Sequence, residues 1–263
     1  MALVSNHLKQ IQEGFEKILG NFMECPTIAS LIEGRFTVEH YKSILRQIFH
    51  HTRENPQLQA LATVYFRGHQ REVIQRFYRH ATSEIGHDQL ALNDYKTLGG
   101  DASSLPYENP LPATLALLGY GFYEVCNRNP LGYLGYLFFL EFTPTTTGSG
   151  VMDALREIGV PNRAMTFLKD HTVIDVGHNK LMEGYVADLV RHDWQAETVV
   201  AAMHVTGNLY ANMLDEAVAF SDAPYDVGWN WDELQADGLD PGRFINRQKR
   251  SIVAGLSSYD AIS

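Results

Sequence analysis

Residues 171–178 read His-Thr-Val-Ile-Asp-Val-Gly-His, which places His171, Asp175 and His178 at i, i+4 and i+7. An α-helix turns about 100° per residue, so the three side chains share an arc of about 60° on one face. Imidazole nitrogen mixed with carboxylate oxygen is a donor set for hard or borderline divalent metals. A polar stripe turned to solvent would have the same spacing. The flanking Phe167, Leu168, Val173, Ile174, Val176 and Leu181, however, leave little room for a wholly solvated face. A second pair, Glu84 and His87 in "SEIGHDQ", repeats the carboxylate-x-x-His spacing of Asp175 and His178. Dinuclear carboxylate bundles use two such pairs on two helices, with a lone inward carboxylate from each of two others.

Glu141 is the strongest lone carboxylate. It interrupts the apolar run "YLGYLFFLEF", where an uncompensated ionised group would cost several kcal/mol to bury. A metal or a basic partner would offset that cost. Glu54 is the candidate on an earlier helix, after Ile48 and Phe49 and just before Pro56, with His50 and His51 as competing donors. The expected set is therefore Glu54, Glu84, His87, Glu141, His171, Asp175 and His178. Four carboxylates bring two divalent ions close to charge balance, and the oxygen-rich field suits iron or manganese better than structural zinc. Two adjacent irons with open positions can bind dioxygen and supply the electrons that reduce it.

The elements that would carry these residues are helical throughout. Leu8, Ile11, Phe15 and Ile18 follow a helical period after Ser5 as cap, and Thr37 caps a second helix expected to end or kink near Asn55, ahead of Pro56. A further helix is expected from about Leu58. Residues 71–98 read as one long helix stopped by Gly99-Gly100. Another runs from Pro112 to Arg128, followed by the apolar helix of Glu141. The stretch "TPTTTGSG" reads as a loop before a short helix at about 151–158. Two long antiparallel helices close the pattern, the first of them carrying "HTVIDVGH". The expectation is an all-α single-domain bundle of about seven helices over 1–263, with a turn-rich tail or lid at about 224–263.

Composition narrows the function. The chain has 263 residues, 45% of them hydrophobic, and a net charge of −10. That acidity argues against nucleic acid or an anionic membrane as partner, because both need a basic footprint. No apolar run approaches the roughly 20 residues that span a bilayer. The N-terminal stretch lacks the long apolar core of a secretory signal, and two cysteines, Cys25 and Cys126, suit a reducing compartment. A cytoplasmic location is expected.

Taken in order, Glu54, "EIGH" (84–87), Glu141 and "HTVIDVGH" (171–178) resemble the motif series of the haem-oxygenase-like diiron oxidases, over roughly residues 50–190. The resemblance implies a haem-oxygenase fold without haem, with two irons of which one is loosely held, and possible homodimers. It implies Glu84, His87 and His171 on one iron and Glu54, Glu141, Asp175 and His178 on the other. The implied chemistry is dioxygen-dependent oxidation of a small carboxylic acid, amino acid or amine, by oxidative decarboxylation, C–C cleavage, desaturation or N-oxygenation. Leu137 and Phe138, about one turn before Glu141, are the expected substrate-pocket residues. Two other readings stand beside this one. The first is a metal-free thiaminase-like hydrolase or cofactorless oxidase on the same fold, with Glu84 and Glu141 as acid and base. The second is a non-catalytic bundle that holds metal without turnover.

Overall fold

Helix caps and apolar periodicity account for the architecture of the computed structural model, which describes residues 6–128 and 130–222 without the side chains of residues 107, 130 and 173–176. Helix α1 (Asn6–Met23) buries the expected stripe of Leu8, Ile11, Phe15 and Ile18. A short α2 (Pro26–Ile32) follows, with Pro26 in its first turn. Helix α3 (Val38–Ala62) begins at Thr37, whose hydroxyl accepts from the His40 amide. Then come α4 (Arg71–Glu84), α5 (His87–Thr97), α6 (Pro112–Asn127), α7 (Pro130–Glu157), α8 (Thr166–Leu189) and α9 (Asp193–Ala219). All nine belong to one unit, Met1–Ala102 with Pro110–Asp222. Ser103–Asn109, which contains a 3-10 turn at Leu105–Tyr107, belongs to a second unit. The expected tail at about 224–263 and the Ser5 cap lie outside the described residues.

Three boundaries differ from the sequence reading. Helix α3 runs through Pro56 to Ala62, because a proline removes one backbone bond without preventing the turn when neighbouring packing holds it. Helix α7 likewise continues through Pro144 and "TPTTTGSG". Its threonines find partners inside the helix: Thr143, Thr146 and Thr147 donate to the carbonyls of Phe139, Phe142 and Thr143, four residues back. The long helix expected over 71–98 is instead two, broken between Glu84 and His87 where Gly86 takes φ +101°.

Helix α7 is the core element, packed along α8 and α9. Phe15 of α1 meets Phe138, Phe139 and Phe142 of α7 edge-on, an arrangement favoured by the aromatic quadrupole. Gly135 lets the α7 and α9 backbones meet, since a Cβ there would lie 2.1 Å from the Val199 carbonyl oxygen.

Acids from one helix cap the start of another. Asp215 of α9 accepts from the Thr27 amide and hydroxyl of α2, and Glu216 accepts from the Ala113 amide of α6. Asp94 of α5 does the same for α8. Its Oδ1 accepts from the Thr166 amide (3.0 Å) and hydroxyl (2.7 Å), and its Oδ2 from the Phe167 amide (2.9 Å). The residue is wholly buried and fixes α8 against α5. Asp94→Ala would leave these donors unpaired and should lower stability by about 2–3 kcal/mol, read as a lower urea midpoint. Among the described residues, no helix is long and apolar enough to cross a membrane.

Candidate metal centre

Helices α4, α5, α7 and α8 deliver six donors to one place. Glu84 is the last residue of α4 and His87 the first of α5, so the pair converges across the Gly86 turn and not along one helical face. His87 Nδ1 donates to Glu84 Oε2 at 3.0 Å. Any side chain at φ +101° is strained, so Gly86→Ala should cost about 1–2 kcal/mol and loosen this pair. Thermal denaturation of the iron-free protein would read that loss.

Glu141 projects from the middle of α7. Its Oε2 accepts from His178 Nδ1 at 3.0 Å, and its Oε1 lies 3.1 Å from His80 Nε2, a contact too poorly aligned to be a hydrogen bond. His178 Nδ1 is also 3.4 Å from Glu84 Oε1. Burial works to raise the Glu141 carboxyl, but the adjoining imidazoles of His178 and His80 outweigh it and hold the group well below the usual carboxylate range. His171 Nδ1 donates to the Phe167 carbonyl at 2.8 Å, which leaves Nε2 with its lone pair free for a metal. Burial, more than any neighbour, lowers the His171 pKa and favours the neutral, ligating form.

The donors form two groups with one shared member. His80, Glu84, Glu141 and His178 each offer a ligand atom within 4.8 Å of the others, and so do Glu84, His87 and His171. Two atoms at the centre, Glu84 Oε1 and His80 Nε2, are buried with no hydrogen-bond partner. Such orphans are costly in a protein interior and are what a metal would satisfy. The donor set therefore fits divalent metal, and it is richer in imidazole than the sequence reading expected, a mix suited to iron among others.

The expected residues fare differently. Glu84, His87, Glu141, His171 and His178 come together. The Asp175 side chain lies outside the described residues. Glu54 is not brought in: its side chain is 33% exposed and Oε1 accepts from Arg53 Nε at 3.2 Å. The neighbouring His51 of that helix has another role, being paired with the Tyr136 hydroxyl at 2.7 Å. Leu137 and Phe138 are core residues, Phe138 stacking on Phe142 at 4.0 Å, and neither lines the cavity found beside His171. The walls of that cavity come instead from α7 beyond Glu141, at Thr143, Pro144 and Thr147, and from α2, α3, α8 and α9.

His80 is the donor that the motif reading missed. It stands one turn before Glu84 in "HATSE", the same i, i+4 spacing as His171 and Asp175, and that repetition was the available signal. Gln59 of α3 positions it, donating from its amide Nε2 to His80 Nδ1 at 2.6 Å. With Nδ1 accepting, the proton of the neutral ring sits on Nε2, facing the carboxylates.

Comparison with known proteins agrees with this geometry. A structure of a domain of unknown function with a haem oxygenase-like fold from Shewanella denitrificans OS217 is similar at TM-score 0.76 and 22% identity, over 86% of this chain and 98% of that one. A TenA homologue from P. horikoshii OT3 aligns at TM-score 0.67 and 12% identity, over 81% of this chain and 98% of its own. A CADD-like protein of unknown function from Nostoc punctiforme PCC 73102 aligns at TM-score 0.62 and 15% identity, over 81% and 97%. At these identities the likeness establishes the haem-oxygenase-like fold. No curated protein sequence matches the chain. The family described as iron-containing redox enzyme matches residues 42–211, which include every donor of the cluster. The chain belongs to that family of iron-containing redox enzymes with a haem-oxygenase-like fold.

Proposed function

We propose that the protein is a non-haem diiron oxidase that uses dioxygen to oxidise a small organic substrate. The observation that supports this reading is the sharing of Glu84 between two adjacent donor groups, which would give two neighbouring metal ions one carboxylate in common. Ferrous ions held there would supply the electrons that reduce dioxygen. Glu84, His87 and His171 would hold one ion, and His80, Glu84, Glu141 and His178 the other, with Asp175 as a further ligand from α8.

The chain's own residues do the rest. Glu141 stays ionised and offers a permanent negative charge to the second position. His171 is kept neutral and is oriented by the Phe167 carbonyl. A cavity beside it, walled largely by apolar side chains, would keep water from a substrate bound there.

Oxygen uptake tests the reading. Protein loaded anaerobically with ferrous iron and then exposed to air with candidate acids and amines should consume dioxygen in step with product. His171→Ala should abolish both iron binding at its position and this uptake. Firm iron binding without any oxygen-dependent product would favour the non-catalytic bundle. Turnover of a substrate by iron-free protein would favour the metal-free hydrolase.

A further inference from the structure

Tyr136 of α7 is wholly buried, and its hydroxyl lies 2.7 Å from Nε2 of the buried His51 ring on α3. The other acceptor in reach, Asn55 Oδ1, is 3.5 Å away, at the limit of a hydrogen bond, so the phenol donates to His51. Burial raises the Tyr136 pKa and lowers that of His51 to about 4. At neutral pH both groups are therefore uncharged, with a proton on the oxygen and a lone pair on the nitrogen facing it. Simple proton transfer is closed to such a pair, because it would leave two charges in the interior. Loss of an electron opens it. An oxidised phenol is a far stronger acid than an imidazolium, and its proton needs a base already in hydrogen-bond contact.

Other buried phenols lack that base: the hydroxyls of Tyr41, Tyr133 and Tyr185 make no hydrogen bond to any described residue. Tyr136 also stands near the metal centre. It precedes Glu141 by five residues on α7, an axial rise of about 7.5 Å. Its ring stacks on that of Tyr133 with centroids 5.6 Å apart. Burial first, then neighbouring charges that include Glu141 and Glu84, raise the Tyr133 pKa, so this stack lies within the field of the donor carboxylates.

We propose that Tyr136 and His51 form a redox pair that reduces the oxidised metal centre when no substrate is bound. The proposal rests on the oxidase reading for its oxidant. Dioxygen needs four electrons to become two waters. Two ferrous ions becoming ferric supply two, and a substrate supplies the rest during turnover. Without substrate, Tyr136 gives one electron and becomes a neutral phenoxyl radical, while its proton passes to His51 Nε2 and forms the imidazolium. A free ferrous ion gives the fourth electron, and solvent gives the four protons of the waters.

Electron paramagnetic resonance tests the pair. Ferrous-loaded protein with one further equivalent of free ferrous ion, mixed with air-saturated buffer without substrate and frozen, should show a phenoxyl radical whose signal narrows with ring-deuterated tyrosine. Tyr136→Phe should abolish the radical and His51→Gln should lower it by about tenfold or more, with iron content unchanged in both. Tyr185→Phe should leave it in place. Fluorotyrosine at position 136 serves should Tyr136→Phe not fold, by adding fluorine splitting to the signal. Nitrogen-15 spectra of the iron-free protein at neutral pH should show His51 Nε2 unprotonated. A radical that survives Tyr136→Phe, one undiminished in His51→Gln, or an Nε2 that carries its own proton would overturn the proposal. Spin-coupled ferric pairs formed without any phenoxyl radical would end this inference and leave the oxidase reading standing. Absence of any oxidised iron would remove both.

Discussion

Replacing Glu84 with glutamine should empty both metal positions at once, whereas His87→Ala should empty only one. Glu84 is the single residue common to the two donor groups. Its two oxygens already face different neighbours, Oε2 toward His87 and Oε1 toward His80 and His178. Glutamine keeps the shape and removes the charge that two cations would share, and a neutral amide is a poor ligand for them. Iron per chain after anaerobic loading and desalting should fall from about two to near none in Glu84→Gln, with affinity lowered on the order of a hundredfold or more. In His87→Ala it should fall to about one. Retention of both irons in Glu84→Gln would show that the carboxylate does not bridge.

A steep acid loss of stability in the iron-free protein is the second large expected effect. His51 is buried beneath Tyr136, and burial lowers its pKa to about 4, against about 6.5 for an exposed imidazole. The unfolded chain therefore binds the proton first. Stability from this group is complete above about pH 6.5, declines as pH falls, and is gone below about pH 4. The difference amounts to about 3 kcal/mol. His50, lowered to about 3 by burial first and then by Arg53 and Arg46, adds to the loss in the same direction. Urea denaturation at intervals from pH 7 to 4 should show the decline, and His51→Gln should make it shallower, with His50 keeping the rest, while leaving a partner for Tyr136. A profile without slope over that range would contradict the burial argument. Glu141 acts in a separate window: its depressed carboxyl contributes stability above about pH 4.3, lost only below that.

The all-α class was legible in the sequence because helical periodicity and caps are local signals, as at Thr37 and along Leu8 to Ile18. Five of the six clustered donors were legible for a related reason. A carboxylate or imidazole within an apolar setting, such as Glu141 in "YLFFLEF", needs a partner wherever it folds. What failed were inferences that required a helix to be continued or stopped. Pro56 and Pro144 suggested breaks, yet threonine back-bonding and packing carry α7 through, and the cavity wall at Thr143 and Thr147 exists only because it does. Gly86 was hidden inside a helical pattern and breaks it. Glu54 matched by its place on a helix, but α3 presents Gln59 to the cluster, through His80. Which face of a long helix meets its neighbour depends on tertiary packing, and spacing alone does not encode it.

Two irons in adjacent positions that share Glu84 would be spin-coupled once oxidised. Mössbauer spectroscopy of protein loaded with two equivalents of ferrous iron-57 and oxidised by air tests it most directly. Spin-coupled ferric pairs are expected, seen as quadrupole doublets without magnetic splitting at low temperature, with their loss in Glu84→Gln. Magnetically split spectra of isolated ferric ions, or spectra unaltered by Glu84→Gln, would contradict it.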